Sequence, residues 1–258
     1  MIELNKIYQM DNLELMKQIE DNYIDLIYCD ILYNTGKKFT DYDDNLGTPQ
    51  QAIEWYKPRL IEMKRILKCT GNIFLQCDYR LVHYLKVEMD VIFGTNSFRN
   101  DIIWSYKRWT ASSNKKLQSM HDNILFYAKE NNEINNLYEK LEKPKKQNKN
   151  DGKGKSLKDE KGNVVYHIQT QREIDDVWII PILNPKANER VGYATQKPKE
   201  LLKRIISLGS NEGDVIADFF CGSGTSLVVA KELGRHYIGC DISEKAVRIT
   251  NERLHNVI

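Results

Sequence analysis

Two stretches of this 258-residue chain bring together residue types that can hold a ligand and act on it. The first is Val215-Ile216-Ala217-Asp218-Phe219-Phe220-Cys221-Gly222-Ser223-Gly224-Thr225, an apolar run of strand length that empties into a glycine-rich turn. Residues 226–233 then read as a helix closed by Gly234, and a second apolar strand, Tyr237-Ile238-Gly239-Cys240, ends in the acid Asp241. In doubly wound sheets such parts hold a nucleotide-like ligand: glycines let the backbone approach it, and the acid at the next strand end binds ribose hydroxyls. The second stretch, Asp30-Ile31-Leu32-Tyr33, follows the apolar run 23–29 and so places a carboxylate and an aromatic ring at the C-terminal end of a buried strand.

The elements that position these residues follow from hydrophobic spacing. Residues 6–11 read as a short strand, and residues 12–19 repeat apolar side chains at helical spacing, with Asp11 or Asn12 placed to cap them. Residues 49–67 are helical in pattern, residues 72–77 a strand, 80–93 a helix, and 102–104 and 123–128 strands. This βα alternation predicts a mostly parallel sheet, and the last two strands, with no clear helix between them, fit an antiparallel pair at its edge. Order resumes at 176–181, Pro198 suits the first turn of a helix over 199–208, and the glycine-turn strand follows Gly209.

Between 131 and 175 the periodicity collapses into a lysine- and glycine-rich segment, which reads either as a solvated, mobile insertion or as a nucleic-acid contact loop. Gly154-Lys155-Ser156 within it looks like the end of a phosphate-binding loop, but Lys149 stands where the earlier glycine belongs and no strand is expected before it. A kinase or ATPase is therefore not supported. Net charge is only +2, so any affinity for nucleic acid must come from local clusters of Lys and Arg. The 5 cysteines show no Cys-x-x-Cys pair and the 5 histidines no ligand spacing, which argues for a reduced, cytoplasmic protein without a structural metal. No signal peptide, membrane-spanning run or lipidation motif is apparent.

The turn Phe220-Cys221-Gly222-Ser223-Gly224 lacks the third glycine of the dinucleotide fingerprint. A dehydrogenase stays open on that turn alone, but its spacing is more similar to the S-adenosylmethionine loop of class I methyltransferases. Together with Asp30-Ile31-Leu32-Tyr33 it resembles the amino-group DNA methyltransferases, whose catalytic motif is Asp/Asn/Ser-Pro-Pro-Tyr/Phe. That motif precedes the glycine turn, and Thr195-Gln196-Lys197-Pro198 lies just upstream of the cofactor strand. This order resembles the permuted β class, and the run 192–225 is similar to modification subunits of type III restriction systems. The resemblance covers residues 11–241 apart from the insertion.

It implies an α/β class I S-adenosylmethionine-dependent methyltransferase fold, with a mostly parallel seven-stranded sheet, circularly permuted. Residues 1–130 would form the catalytic half, 176–258 the cofactor half, and 131–175 a small target-recognition insertion. The N-terminal strand would complete the cofactor half of the sheet. For the cofactor, S-adenosylmethionine, the resemblance implies Asp11 on the adenine side and Asp241 on the ribose. The turn Asp218, Phe220, Gly222, Ser223, Gly224 and Thr225 would receive the methionine end, with Thr195 and Lys197 at its carboxylate and Asp30 beside the methyl group.

The chemistry gives the second motif its meaning. An exocyclic amine is a poor nucleophile because its lone pair is delocalised, so a catalyst must draw the nitrogen towards tetrahedral geometry and aim it at the methyl. Asp30 and the carbonyl of Ile31 would accept its two protons in hydrogen bonds while Tyr33 stacks on the base. Ile31 and Leu32 replace both family prolines, which would otherwise fix φ. The resemblance thus implies a DNA adenine-N6 methyltransferase, with cytosine N4 or a catalytically silent DNA-binding subunit as alternatives. Flipping the base from the duplex calls for walls, here Tyr33, Phe39 and Tyr42, and for phosphate contacts, here Lys37 and Lys38. Lys107, Arg108 and Trp109 begin a second candidate recognition segment, 107–116. DNA is the expected partner, with a homodimer or a restriction–modification subunit as further candidates.

Overall fold

The sheet is assembled around β2 (Ile24–Asp30), most of whose residues are buried because both faces are covered, so the strand reads as a mostly apolar run, interrupted by Asp25, rather than an alternation. The computed structural model describes residues 2–39, 42–108, 114–115 and 117–257. Around β2 the chain supplies, in order, β1 (Lys6–Gln9), α1 (Asn12–Met16), β3 (Lys37–Lys38), β4 (Asp43–Asp44), α2 (Pro49–Ile66), β5 (Leu67–Cys77), α3 (Val82–Phe93), β6 (Phe98–Ser105) and β7 (His121–Ala128). There follow β8 (Tyr138–Asn148), β9 (Tyr166–Glu173), β10 (Val177–Ile179), α4 (Lys199–Gly209), β11 (Val215–Asp218), α5 (Thr225–Glu232), β12 (His236–Asp241) and α6 (Glu244–His255).

Eight strands form the main sheet, in the order β1-β12-β11-β2-β5-β7-β6-β10. That is one more than expected: β10 pairs in parallel with β6 and covers an edge whose backbone groups would otherwise be unpaired. β7 runs antiparallel to both β5 and β6, so it lies inside the sheet rather than at its edge. The N-terminal strand β1 pairs in parallel with β12, Lys6 opposite Ile238 and Gln9 opposite Asp241, which closes the permuted order. Helix starts are locally encoded. Asp11 caps α1 by accepting from Leu13 N, and Thr48 and Gln51 form a reciprocal capping box ahead of Pro49. Leu15, Ile27, Leu60, Ile73, Leu125, Ala217 and Ile238 belong to one core cluster, which ties α1 and α2 to five strands.

The chain divides into two compact units, residues 1–135 with 176–258, and 136–175. The smaller unit is an antiparallel hairpin of β8 and β9, with a register shift between Lys140 and Lys145. This corrects the reading of a structureless insertion. Its strands are exposed along nearly their whole length, so backbone pairing forms the hairpin without the apolar face that sequence patterning detects. A strand does precede Gly154, contrary to expectation, but it returns antiparallel. Asp151 accepts from the backbones of Lys153 and Lys155, closing a turn rather than a phosphate loop. No helix among the described residues is long and apolar enough to cross a membrane.

Candidate active site

β2, β11 and β12 each end in an aspartate, Asp30, Asp218 and Asp241. Adjacent parallel strands therefore deliver three carboxyls to one edge of the sheet, outside the carboxyl ends where doubly wound folds bind ligands. A cavity of about 390 Å³ opens there. Asp11, Asp30, Ile31, Tyr33, Phe39, Tyr42, Thr195, Lys197, Asp218, Phe220, Gly222, Ser223, Thr225 and Asp241 all line it, so both chemical motifs face one space.

The turn after β11 is held from three sides. Asp218 is buried; one of its oxygens accepts from Phe220 N at 3.0 Å and the other from the Ser226 hydroxyl. Burial pushes its carboxyl up to about 7 despite these donors. Asp241 Oδ2 accepts from Gly222 N at 2.9 Å and Oδ1 from Ser243 N at 2.9 Å, which fixes the carboxylate at the end of β12. From α6, Thr250 donates to the carbonyl of Gly222 and Arg253 to that of Ser223. Gly222 and Gly224 take φ of 48° and 70°, and a Cβ on Gly224 would lie 2.3 Å from Thr250, so this position requires glycine.

At the other motif, Tyr33 donates to Asp30 Oδ1 at 2.8 Å, and Lys197 Nζ lies 2.7 Å from Asp30 Oδ2. Burial raises the Asp30 carboxyl above its ordinary value, against the opposing pull of the Lys197 ammonium and of the hydrogen bonds from Lys197 and Tyr33. The segment lacks prolines but is fastened otherwise. Ile31 N donates to the carbonyl of Gln76, extending the β2–β5 ladder by a bond that proline cannot make. The Ile31 side chain is buried, and Tyr56 donates to the carbonyl of Leu32 at 2.9 Å.

Other expected residues are placed differently. Asp11 is part of the N-terminal wall, but its carboxylate is already engaged by Leu13 N and by Arg59, 3.0 Å away, whose guanidinium stacks on Trp55. Tyr42 stacks on Phe39 at 4.8 Å and hydrogen-bonds Thr195; burial raises its hydroxyl to about 12. Lys37 and Lys38 are exposed on the small β3–β4 hairpin and do not line the first cavity, although Phe39, Asp43 and Asp44 beside them do. Lys37 and Arg108 instead line a second cavity, which shares Tyr33, Thr35, Thr195 and Lys197 with the first. Lys107 is exposed, and Trp109 lies outside the described residues, as do 110–113 and 116. Sequence reasoning missed Trp55, Tyr193 and Ile242 in the first cavity and Tyr106 and Asp122 in the second. Ile242 directly follows Asp241 and Tyr193 lies two residues before Thr195, so both could have been found by that proximity; Trp55 gave no signal beyond a helical apolar position.

A class I methyltransferase sheet with two motifs around one cavity is the class that fold and site define. The N6_N4_Mtase family model, described as DNA methylase, matches residues 24–252, and the chain belongs to that family. It is 30% identical to the type II methyltransferase M.HpaI of Haemophilus parainfluenzae over 94% of this chain and 71% of the relative. Identity is 29% to the DNA adenine methyltransferase YhdJ of Escherichia coli strain K12, over 98% of this chain and 83% of the relative. Among solved structures it resembles the M1.HpyAVI–SAM complex, with a TM-score of 0.63 and 18% identity, covering 96% of this chain and 98% of that one. The cytosine-N4-specific PvuII DNA methyltransferase gives a TM-score of 0.67 at 15% identity, covering 96% of this chain and 85% of that one.

Proposed function

We propose that this protein methylates the N6 amine of an adenine flipped out of DNA, using S-adenosylmethionine as donor. The observation that carries the reading is the shared cavity: Asp30 through Tyr33, Asp218 through Ser223, and Thr225 face the same space. The lining suits S-adenosylmethionine at both ends. Asp241 offers acceptors for ribose hydroxyls beside the apolar Phe220 and Ile242, and Thr195 and Lys197 offer a hydroxyl and a cation for a carboxylate. The two left-handed glycines let the turn pass close to its neighbours, Gly222 beside Tyr193 of the cavity wall and Gly224 against Thr250 of α6. When bound, the cofactor supplies a methyl group made electrophilic by its sulfonium.

The chain's own residues do the rest. Asp30 and the Ile31 carbonyl accept the two amine protons and orient the nitrogen lone pair, and Tyr33 supplies the stacking face. Base flipping costs a few kcal/mol, offset by stacking and by phosphate contacts from Lys37, Arg108 and the hairpin lysines. Adenine is favoured over cytosine by aspartate at the first motif position and by similarity to an adenine methyltransferase over nearly the whole chain. An active rather than silent subunit is favoured by the ladder bond from Ile31 and the Tyr56 hydrogen bond, which fix the segment without prolines. Incubation with tritiated S-adenosylmethionine and DNA of mixed sequence tests the reading. Cofactor binding without transfer of label to DNA would refute it.

A further inference from the structure

Behind the catalytic segment lies a second buried carboxylate that neither motif includes. Asp122, on β7, is 6% exposed and uses both oxygens: Oδ1 accepts from Tyr106 at 2.8 Å, Oδ2 from Gln76 at 3.1 Å and from the Tyr33 hydroxyl at 3.0 Å. The Gln76 amide is itself fixed, since its oxygen accepts from Tyr28 at 2.8 Å and its nitrogen also donates to Tyr33 at 3.0 Å. Tyr33 thus stands between two carboxylates, Asp30 at 2.8 Å and Asp122 at 3.0 Å, with a single proton to give. One hydroxyl cannot donate to both at once, so its single proton serves one carboxylate or the other.

We propose that Asp122 is a positioning residue of the methyl transfer, which acts through the Tyr33 hydroxyl to take over the proton that the target amine loses. The inference rests on the reading of amine methylation. On that reading the amine lone pair forms the new N–C bond while the S–C electron pair stays on sulfur as a thioether, and the nitrogen holds one proton too many. That N–H bond breaks with its electrons returning to nitrogen, and the proton passes to Asp30. Tyr33 takes this proton and passes its own to Asp122, ending neutral as it began. Asp30 is thereby restored as an acceptor while Asp122 lies on the wall of the second cavity.

The other titratable groups around the pair include Lys197 before α4, Tyr28 and Cys29 on β2, Tyr42 before β4, Cys77 and Asp78 at the end of β5, Tyr106 after β6, and Asp218 on β11. Lys197 is the cation paired with Asp30, and it favours the ionised carboxylate. The negative charge of Asp122 acts the other way and helps to hold the Asp30 carboxyl up.

The test is Asp122→Asn, which keeps the shape but cannot accept a proton. Carbon-13 NMR of the aspartate carboxyls reads the coupling in the protein alone, and single-turnover methylation reads its consequence. The expected results are an Asp30 titration displaced to lower pH, a single-turnover plateau lower by about tenfold or more, and unchanged KM for DNA and cofactor. An unmoved Asp30 titration, or a plateau within twofold of wild type, overturns the proposal. Should Asp122→Asn fail to fold, Tyr106→Phe removes one donor from Asp122 while keeping its charge. Single-turnover transfer should then fall with KM for DNA and cofactor unchanged, and transfer within twofold of wild type overturns the proposal. If wild type transfers no methyl group, the functional reading fails, whereas the NMR titration still reports whether the two carboxyls are coupled.

Discussion

Gly224→Ala asks how tightly the glycine turn is built. The residue has φ of 70°, where a non-glycine side chain costs roughly 1–2 kcal/mol. The new methyl would lie 2.3 Å from Thr250 Cγ2, 2.6 Å from Oγ1 and 2.8 Å from Cβ, and Thr250 is fully buried. Relief of that overlap must move Thr250, at the roughly 1–3 kcal/mol typical of overpacking. It also breaks the 3.1 Å hydrogen bond to the Gly222 carbonyl, worth about 1 kcal/mol. The loss should therefore be on the order of 3–6 kcal/mol, a large part of the stability of a typical domain. Urea unfolding measures it, and calorimetric titration of S-adenosylmethionine should show weakened binding. Adding Thr250→Ala removes the two nearest atoms but leaves Cβ and the left-handed backbone, so roughly 1–2 kcal/mol should return. A Gly224→Ala protein within 1 kcal/mol of wild type, or a double variant with no recovery, would refute this account of the turn.

Other expectations follow from the same site. Lys197→Met removes the cation that favours ionised Asp30, so the carboxyl should move further up and transfer should fall more at pH 6 than at pH 8, measured at saturating cofactor. Asp218 has a folded value of about 7 against 3.8 unfolded, so it binds its proton more tightly when folded. The stability it lends is complete below about pH 4 and is lost as pH rises through 7, by up to about 4 kcal/mol. Urea midpoints of Asp218→Asn should be flatter than wild type across that window, and equal slopes would count against the assignment. Tyr56→Phe deletes the bond to the Leu32 carbonyl; it should cost about 1 kcal/mol in unfolding while lowering kcat more than that suggests, with KM for cofactor unchanged.

What the sequence disclosed depended on burial. β2 and β11 were legible because strands covered on both faces must be continuously apolar, and the glycines of the turn announce a backbone that other residues adopt at a cost. The pairing of β1 with β12 followed from motif order, since the cofactor half needs one more strand than the C-terminal segment supplies. The β8–β9 hairpin was not legible, because lysines and glutamates on both faces leave no period to read. Nor were the partners of Asp30. Lys197 was read as a contact for the cofactor, and only the fold brings it to 2.7 Å from that carboxylate. Gln76 and Asp122 are polar residues in strands, which sequence reading assigns to a solvated face; here they turn inward and satisfy one another.

Mass analysis of nucleosides tests the central claim most directly. Duplex DNA of mixed sequence is incubated with the protein and methyl-deuterated S-adenosylmethionine, digested and separated, with Asp30→Ala as control. The account predicts deuterated N6-methyladenine from wild type and none from Asp30→Ala, although that variant should still bind the cofactor. Label in N4-methylcytosine, an unlabelled digest, or undiminished transfer by Asp30→Ala would contradict it.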